Sequence, residues 1–166
     1  MPELDVAIEA AYEAGNSILE IYKSKYETFT KSDDSPITEA DLKSNEIIKT
    51  ILSKTKHKIL SEEDKDDQKR LSEEIIWIVD PLDGTSDFID KTGEFTVMIA
   101  LIKNKKPIIG VIGWPTEKTI FAAQKGCGAF KFSEGKWKEI SVTKISELSK
   151  CKAVGSRHHL SEKEKM

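Results

Sequence analysis

The stretch EEIIWIVDPLDGTSDF, residues 73–88, constrains this chain more than any other. Ile75, Ile76, Ile78 and Val79 form an apolar run that reads as a buried strand. The run delivers Asp80 at its C-terminal end, where a bare carboxylate is costly unless it is paired or bound to a metal. Pro81 removes an amide and fixes the backbone, so the strand is expected to end there. Asp83 then returns toward the same space. Gly84 permits a ligand to approach the main chain closely. Thr85 adds a hydroxyl at a point where a helical turn can begin, and amides at such a start suit a phosphate.

Oxygen donors without histidine or cysteine favour Mg²⁺ over zinc. Magnesium is commonly held by one or two carboxylates together with water and substrate phosphates. The spacing therefore suits metal-dependent phosphoryl transfer. A plain Asp-rich turn is the competing reading, because Asp-Gly favours turns by itself. A calcium-binding EF-hand loop is excluded by Leu82, which occupies a ligand position. A phospho-aspartate mechanism of the haloacid-dehalogenase type is disfavoured by Pro81, which stands where the nucleophile would be.

The 166 residues suit one domain, and 38% hydrophobic content suffices for a core. The formal charge of −3, with basic residues scattered, gives no reason to expect nucleic-acid binding. Lys103, Lys105 and Lys106 read as a solvated turn. Cys127 and Cys151 form no metal pattern and read as free thiols of a reducing cytoplasm. The acidic start MPELDVAIEAAYEAG lacks a signal-peptide pattern. No apolar run approaches the roughly 20 residues of a spanning helix. The expected location is the cytoplasm, with peripheral association at the inner membrane left open.

Apolar residues recur at helical spacing from Leu4 to Lys23, with Gly15 marking close packing. Thr38 and Asp41 form a capping-box pattern ahead of a second helix over Glu39–Lys54. YETFT reads as a short strand, KSDDSP as a loop, HKIL as a strand and SEEDKDDQK as an acidic loop. Period two then takes over through EFTVMIALIKN, KPIIGVIGWP and KTIFAAQ. GCGAFKFSEGKWKEI reads as a hairpin about Glu134–Gly135. CKAVGS reads as a last strand, and a helix start is read in LSEKEKM. The expected class is α+β: two N-terminal helices packed on a largely antiparallel sheet. His57 and His158 are expected to be exposed and idle.

Taken together, WIVDPLDGTSDF, ILSEED, SPITEADLKSNEII and KGCGAF resemble the inositol monophosphatase family of magnesium-dependent, lithium-sensitive phosphatases, in order along nearly the whole chain. LSEED and VGSRHH are most similar to its 3′(2′),5′-bisphosphate nucleotidase branch, which removes the 3′-phosphate of 3′-phosphoadenosine 5′-phosphate in sulfate assimilation. The resemblance implies a sugar-phosphatase-like fold and two Mg²⁺ ions, with a third, weaker ion. By resemblance, Glu62 binds the first metal and positions the attacking water, and Asp80 is shared by two metals. Leu82 offers its carbonyl, Asp83 binds the second metal, and Asp41 is associated with the third. The amides of Gly84 and Thr85 would hold phosphate, the Thr85 hydroxyl would orient the water, and Arg157 and His159 would lie near the substrate. From the residues alone, Asp41 is equally a capping residue, and solvated loop acids are the lesser alternative for Glu62 and Glu63.

The resemblance also implies a longer chain. The family's second half is an α/β domain that closes over the site and supplies a further aspartate after a tryptophan. Trp77, Trp114 and Trp137 are not followed by Asp. The expectation is that residues 1–166 are an N-terminal metal-binding domain lacking that α/β domain, with weak or absent catalysis alone. The expected partner is a small phosphorylated substrate, with a homodimer possible. Two alternatives stay open: an inositol monophosphatase or related sugar phosphatase, and a non-catalytic magnesium- or phosphate-binding module.

Overall fold

The computed structural model describes residues 2–32, 34–65, 68 and 72–152. Helix α1 (Pro2–Tyr22) comes first, followed by a two-stranded antiparallel ribbon, β1 (Thr28–Thr30) and β2 (Pro36–Thr38). Helix α2 (Glu39–Leu52) continues as one 3₁₀ turn, Ser53–Thr55. A seven-stranded sheet then runs in spatial order β3 (Lys58–Ser61), β4 (Ile75–Asp83), β5 (Thr96–Lys103), β6 (Lys106–Trp114), β7 (Thr119–Gln124), β8 (Gly128–Ser133) and β9 (Lys136–Ile140). The short helix α3 (Thr85–Ile89) lies between β4 and β5. The expected α+β class is observed. β2 is an addition: it begins at Pro36, which in sequence reads as loop.

Chemistry explains why α1 can lie flat on the sheet. Its inner stripe is Ala7, Ala10, Ala11, Ala14 and Ile18, all buried, so the backbone approaches closely. A Cβ on Gly113 of β6 would lie 3.3 Å from the Ala11 carbonyl, and one on Gly15 would lie 3.3 Å from Pro115. α1 crosses β5, β6 and β7, while α2 packs on α1 and β4. Between them sit Trp77, Val79, Val97, Ile99, Leu101, Ile109 and Val111, the inward positions of β4, β5 and β6. Each large side chain buried this way contributes about 1.5–3 kcal/mol relative to exposure. The Trp77 indole N–H donates to Thr55 Oγ1 at 2.9 Å, so its polar tip is satisfied in the core. On the opposite face Ile78 and Ile112 remain 43% and 40% exposed, so helices cover one side of the sheet only.

β3 and β4 are parallel, and every other neighbouring pair in this sheet is antiparallel. Ser61 pairs with Val79 in that parallel register. The C-terminal ends of β3 and β4 therefore emerge side by side, which the sequence reading did not specify.

Two expectations need correction. The strand does not stop at Asp80 but continues through Pro81 to Asp83. His57 is half-buried, with Nε2 3.7 Å from Glu3, rather than idle in solvent. The Lys103–Lys106 segment is a tight turn, with Asn104 and Lys105 at positive φ. Cys127 and Cys151 are free and exposed, as read. The strand expected in CKAVGS and the helix expected in LSEKEKM fall, from residue 153 on, outside the described residues. Among the described residues, no helix is long and apolar enough to cross a membrane.

Candidate active site

β4 solves a parity problem. Residues three apart on a regular strand face opposite sides. Asp80 pairs with Met98 and Asp83 with Thr96, so three steps on β4 match two on β5, and the register shifts between them. That is a one-residue β-bulge, the arrangement in which a strand interior tolerates a proline. The extra residue returns Asp83 to the face that carries Asp80.

Several bonds hold the bulge. The Leu82 amide donates to Asp80 Oδ1 at 3.1 Å, closing an Asx-type turn. Ser44 Oγ, buried on α2, donates to the Pro81 carbonyl at 2.7 Å. Thr96 Oγ1 stands 3.4 Å from Asp83 Oδ2. Gly84 then turns the chain at φ 91°, and a Cβ there would lie 2.9 Å from the Glu94 carbonyl. Glycine at this position is thus required by the fold itself, beyond any close approach by a ligand. Gly84→Ala is expected to cost about 1–3 kcal/mol, from positive φ plus the backbone clash. Urea denaturation of the variant measures it.

One turn further along the β2–α2 junction, Asp41 is fully buried. Its Oδ2 accepts from the Thr38 amide at 2.8 Å and from Thr38 Oγ1 at 2.6 Å, completing the capping box read from the sequence. Its Oδ1 accepts from Thr85 Oγ1 at 2.9 Å. The Leu82 carbonyl lies 3.2 Å from the same hydroxyl. A hydroxyl has one proton. The shorter bond to a charged acceptor takes it, leaving the Thr85 lone pairs for a donor in the site. Asp41 is thus both the capping residue and the partner of Thr85. It and Ser44, three apart on one helix face, fix the two ends of the Pro81–Thr85 segment.

Glu62 follows Ser61 at the end of β3, and its amide donates to the Val79 carbonyl at 3.0 Å. The parallel register therefore sets Glu62 beside Asp80. Burial raises the Asp80 carboxyl from its ordinary 3.8 to about 7; the charges of Glu62 and Asp83 and a hydrogen bond with Glu62 add to this, and the Leu82 amide opposes it. Lys31, between β1 and β2, reaches Glu62 at 3.1 Å and Glu63 at 2.9 Å. Burial pushes Glu63 above its usual range, with Lys31 opposing. Burial alone would lower Lys31, but its bonds to Glu63 and Glu62 hold it above the usual lysine value. The Glu63 side chain is thus buried rather than a solvated loop acid, whereas that of Glu62 stays exposed.

The raised Asp80 fixes a pH dependence. Between about pH 4 and 7 the folded state holds a proton that the unfolded state releases. Without divalent metal, this group's contribution therefore favours folding most below pH 4, falls as pH rises to 7, and is level above. Urea midpoints in chelator at pH 5 and pH 8 are expected to differ less in Asp80→Asn than in the original chain.

The structure brings Glu62, Asp80, Leu82, Asp83, Gly84 and Thr85 to one end of the sheet, with Asp41 behind Thr85. Among the described residues no three acidic, histidine or cysteine side chains already form a metal cage. The expected ligands share a neighbourhood but are not closed into a coordination shell, and Lys31 holds Glu62 in an ion pair. Their chemistry nevertheless fits a hard cation: crowded carboxylates, one carbonyl, and no soft donor. Beside them an open groove of about 670 Å³ runs over Leu60, Ile78, Met98 and Ile112 on the uncovered sheet face. Sequence reading missed Lys31 and Ser44. Nothing local marks either one, since each acts on residues more than 30 positions away. Arg157 and His159 lie outside the described residues.

A 3′(2′),5′-bisphosphate nucleotidase CysQ of Escherichia coli strain K12 is 38% identical over 144 residues, covering 84% of this chain and 58% of that protein. CysQ of Aggregatibacter actinomycetemcomitans is 34% identical over 158 residues, covering 92% and 59%. The chain thus spans somewhat over half the length of these curated relatives. The crystal structure of CysQ from Bacteroides thetaiotaomicron, described as a bacterial member of the inositol monophosphatase family, superposes with a TM-score of 0.76 at 40% identity, covering 98% of this chain and 65% of that one. A Thermotoga maritima IMPase gives 0.77 at 25% identity, covering 91% and 57%. The model of the inositol monophosphatase family matches residues 2–166. On the bulged carboxylate strand, the fold around it and these matches together, the chain belongs to the inositol monophosphatase family.

Proposed function

We propose that this chain is the metal-binding part of a magnesium-dependent phosphatase. In this reading it removes the 3′-phosphate of 3′-phosphoadenosine 5′-phosphate, giving AMP and phosphate. The carrying observation is the bulge that turns Asp80 and Asp83 to one face beside Glu62, with Thr85 bonded to Asp41 next to them. The CysQ relatives at 34–40% identity favour the nucleotide substrate. A cytoplasmic location fits that chemistry.

Glu62, Asp80, Asp83 and the Leu82 carbonyl would hold Mg²⁺, with Asp41 nearest any further ion. When bound, magnesium would supply Lewis-acid polarisation and a lowered pKa for coordinated water. The protein's own part is positioning. Thr85 Oγ1, its proton committed to Asp41, accepts from a water and turns that water's lone pair toward phosphorus. Glu62 takes the proton as the water attacks, a role suited to a carboxylate in hydrogen-bond reach. The attack is in line and direct, with no covalent enzyme intermediate: the phosphorus–O3′ bond breaks as the new phosphorus–oxygen bond forms, and the departing 3′-oxygen takes up a proton from solvent. The amides of Gly84 and Thr85 face the charge that builds on the phosphoryl oxygens.

The test uses the protein at the full length of its relatives. Phosphate release from 3′-phosphoadenosine 5′-phosphate is compared with release from inositol 1-phosphate, with Mg²⁺ and with added Li⁺. Mg²⁺-dependent, lithium-inhibited release from the nucleotide is expected. Preference for inositol phosphate would move the substrate to the second reading, which the Thermotoga IMPase superposition favours. Release from neither would leave a non-catalytic binding module.

A further inference from the structure

Lys91 stands two residues beyond α3, at φ 61°. Its ammonium donates to the carbonyl of Tyr22, the last residue of α1, at 2.6 Å. The same ammonium lies 4.1 Å from the centre of the Tyr22 ring, 4.5 Å from that of Tyr26 and 5.3 Å from that of Phe88. These rings pack on one another and on Phe95 at centroid separations of 5.0–5.2 Å. Phe88 and Phe95 are buried, so the cluster is anchored in the core.

This arrangement answers a local difficulty. α3 has five residues and cannot persist on its own hydrogen bonds. Its first residue is Thr85, whose hydroxyl must meet Asp41, and it follows directly on Asp83 and the strained Gly84. The front of α3 is held by Asp41. The back is held by Phe88 in the core and by Lys91 against α1. α1 has no basic residue in its own last turn, so Lys91 also supplies the cation that its C-terminal carbonyls favour. An aromatic enclosure strengthens the hold, because ring faces attract ammonium groups.

We propose that Lys91 is a positioning residue: by clamping the back of α3 to the end of α1, it sets where Thr85 and Asp83 stand in the site. The proposal rests on the phosphatase reading for its consequence, but its structural half is measured independently. Two variants separate the roles, Lys91→Met, which keeps the stem and loses the charge, and Lys91→Arg, which keeps the charge. The Phe88 and Asp90 amides, bonded to the Gly84 and Ser86 carbonyls at 2.9 and 2.8 Å, report on α3.

In native-state hydrogen exchange, Lys91→Met is expected to speed exchange of these two amides about tenfold, while amides of β5–β7 keep their rates. The Mg²⁺ dissociation constant, measured by calorimetry on the folded chain, is expected to rise about fivefold in step. Lys91→Arg is expected to restore both. Equal acceleration throughout the chain would overturn the proposal in favour of general stabilisation, and unchanged α3 exchange would overturn it outright. If the original chain binds no Mg²⁺, the metal-site reading fails, while the exchange contrast still decides whether Lys91 positions α3.

Discussion

Asp80→Asn is expected to change activity and stability in opposite directions. If the proposed function holds, turnover of the protein at the full length of its relatives should fall on the order of 10³-fold or more, because that reading assigns this carboxylate several kcal/mol of charge stabilisation at the reacting phosphoryl. In metal-free buffer at pH 8 the same variant should be more stable than the original. Burial and the charges of Glu62 and Asp83 disfavour ionised Asp80, and an amide removes that penalty. The Leu82 amide keeps an acceptor in the asparagine Oδ1, so the bulge survives. Urea midpoints and steady-state rates measure the two halves. A variant that is both active and unchanged in stability would contradict the assignment of Asp80.

The second large effect concerns Thr85 and Asp41. Thr85→Val keeps the shape and removes the hydroxyl that bonds Asp41 at 2.9 Å. Turnover is expected to fall about 10²–10⁴-fold, the range for losing an oriented proton-transfer network. Asp41→Asn should cost a similar factor, and also stability, since its carboxylate accepts two bonds from Thr38 in a fully buried capping box. The double variant should be little worse in turnover than either single one, because the two residues act as a unit. Full additivity in the rate would show instead that they work separately. Comparing kcat with KM sharpens this: the loss belongs in kcat if Thr85 orients the nucleophile, and in KM if it only binds phosphate.

These expectations show which parts of the site the sequence made legible. The apolar run into Asp80, the Asp-Gly-Thr that follows and the Thr38–Asp41 capping box are local patterns, and each formed where it was read. Period-two alternation located the β5–β9 meander because each antiparallel strand follows its neighbour through a short turn. The bulge was not legible. Pro81 reads as a strand end, although the same residue is tolerated inside a strand where one extra residue breaks the ladder. The consequence was hidden in parity: a spacing of three serves one face only when a bulge intervenes. The parallel β3–β4 pairing was also hidden, because no local turn sets the register of strands joined by a long connection. That register is what brings Glu62 to Asp80. Lys31 and Ser44 belong to the same class of residue. Their partners, Glu62, Glu63 and the Pro81 carbonyl, are neighbours only in space.

Lys31 also gives the carboxylate cluster a partner within the chain. Its two short bonds offset part of the negative charge of Glu62 and Glu63, while burial and the charges of Glu62 and Asp83 keep the Asp80 carboxyl raised. Cation binding should therefore be pH-dependent. A metal bound there would hold Asp80 ionised, so its affinity is expected to rise through about pH 7 and level off above it.

The central claim is that Glu62, Asp80 and Asp83 form one divalent-metal site at the end of β4. Calorimetric titration of the chain with Mg²⁺ at pH 8, beside Asp80→Asn, tests it most directly. Saturable binding in the original chain, weakened at least about tenfold in Asp80→Asn, is the predicted result. Equal Mg²⁺ affinity in the two chains, or no binding in either, would contradict it.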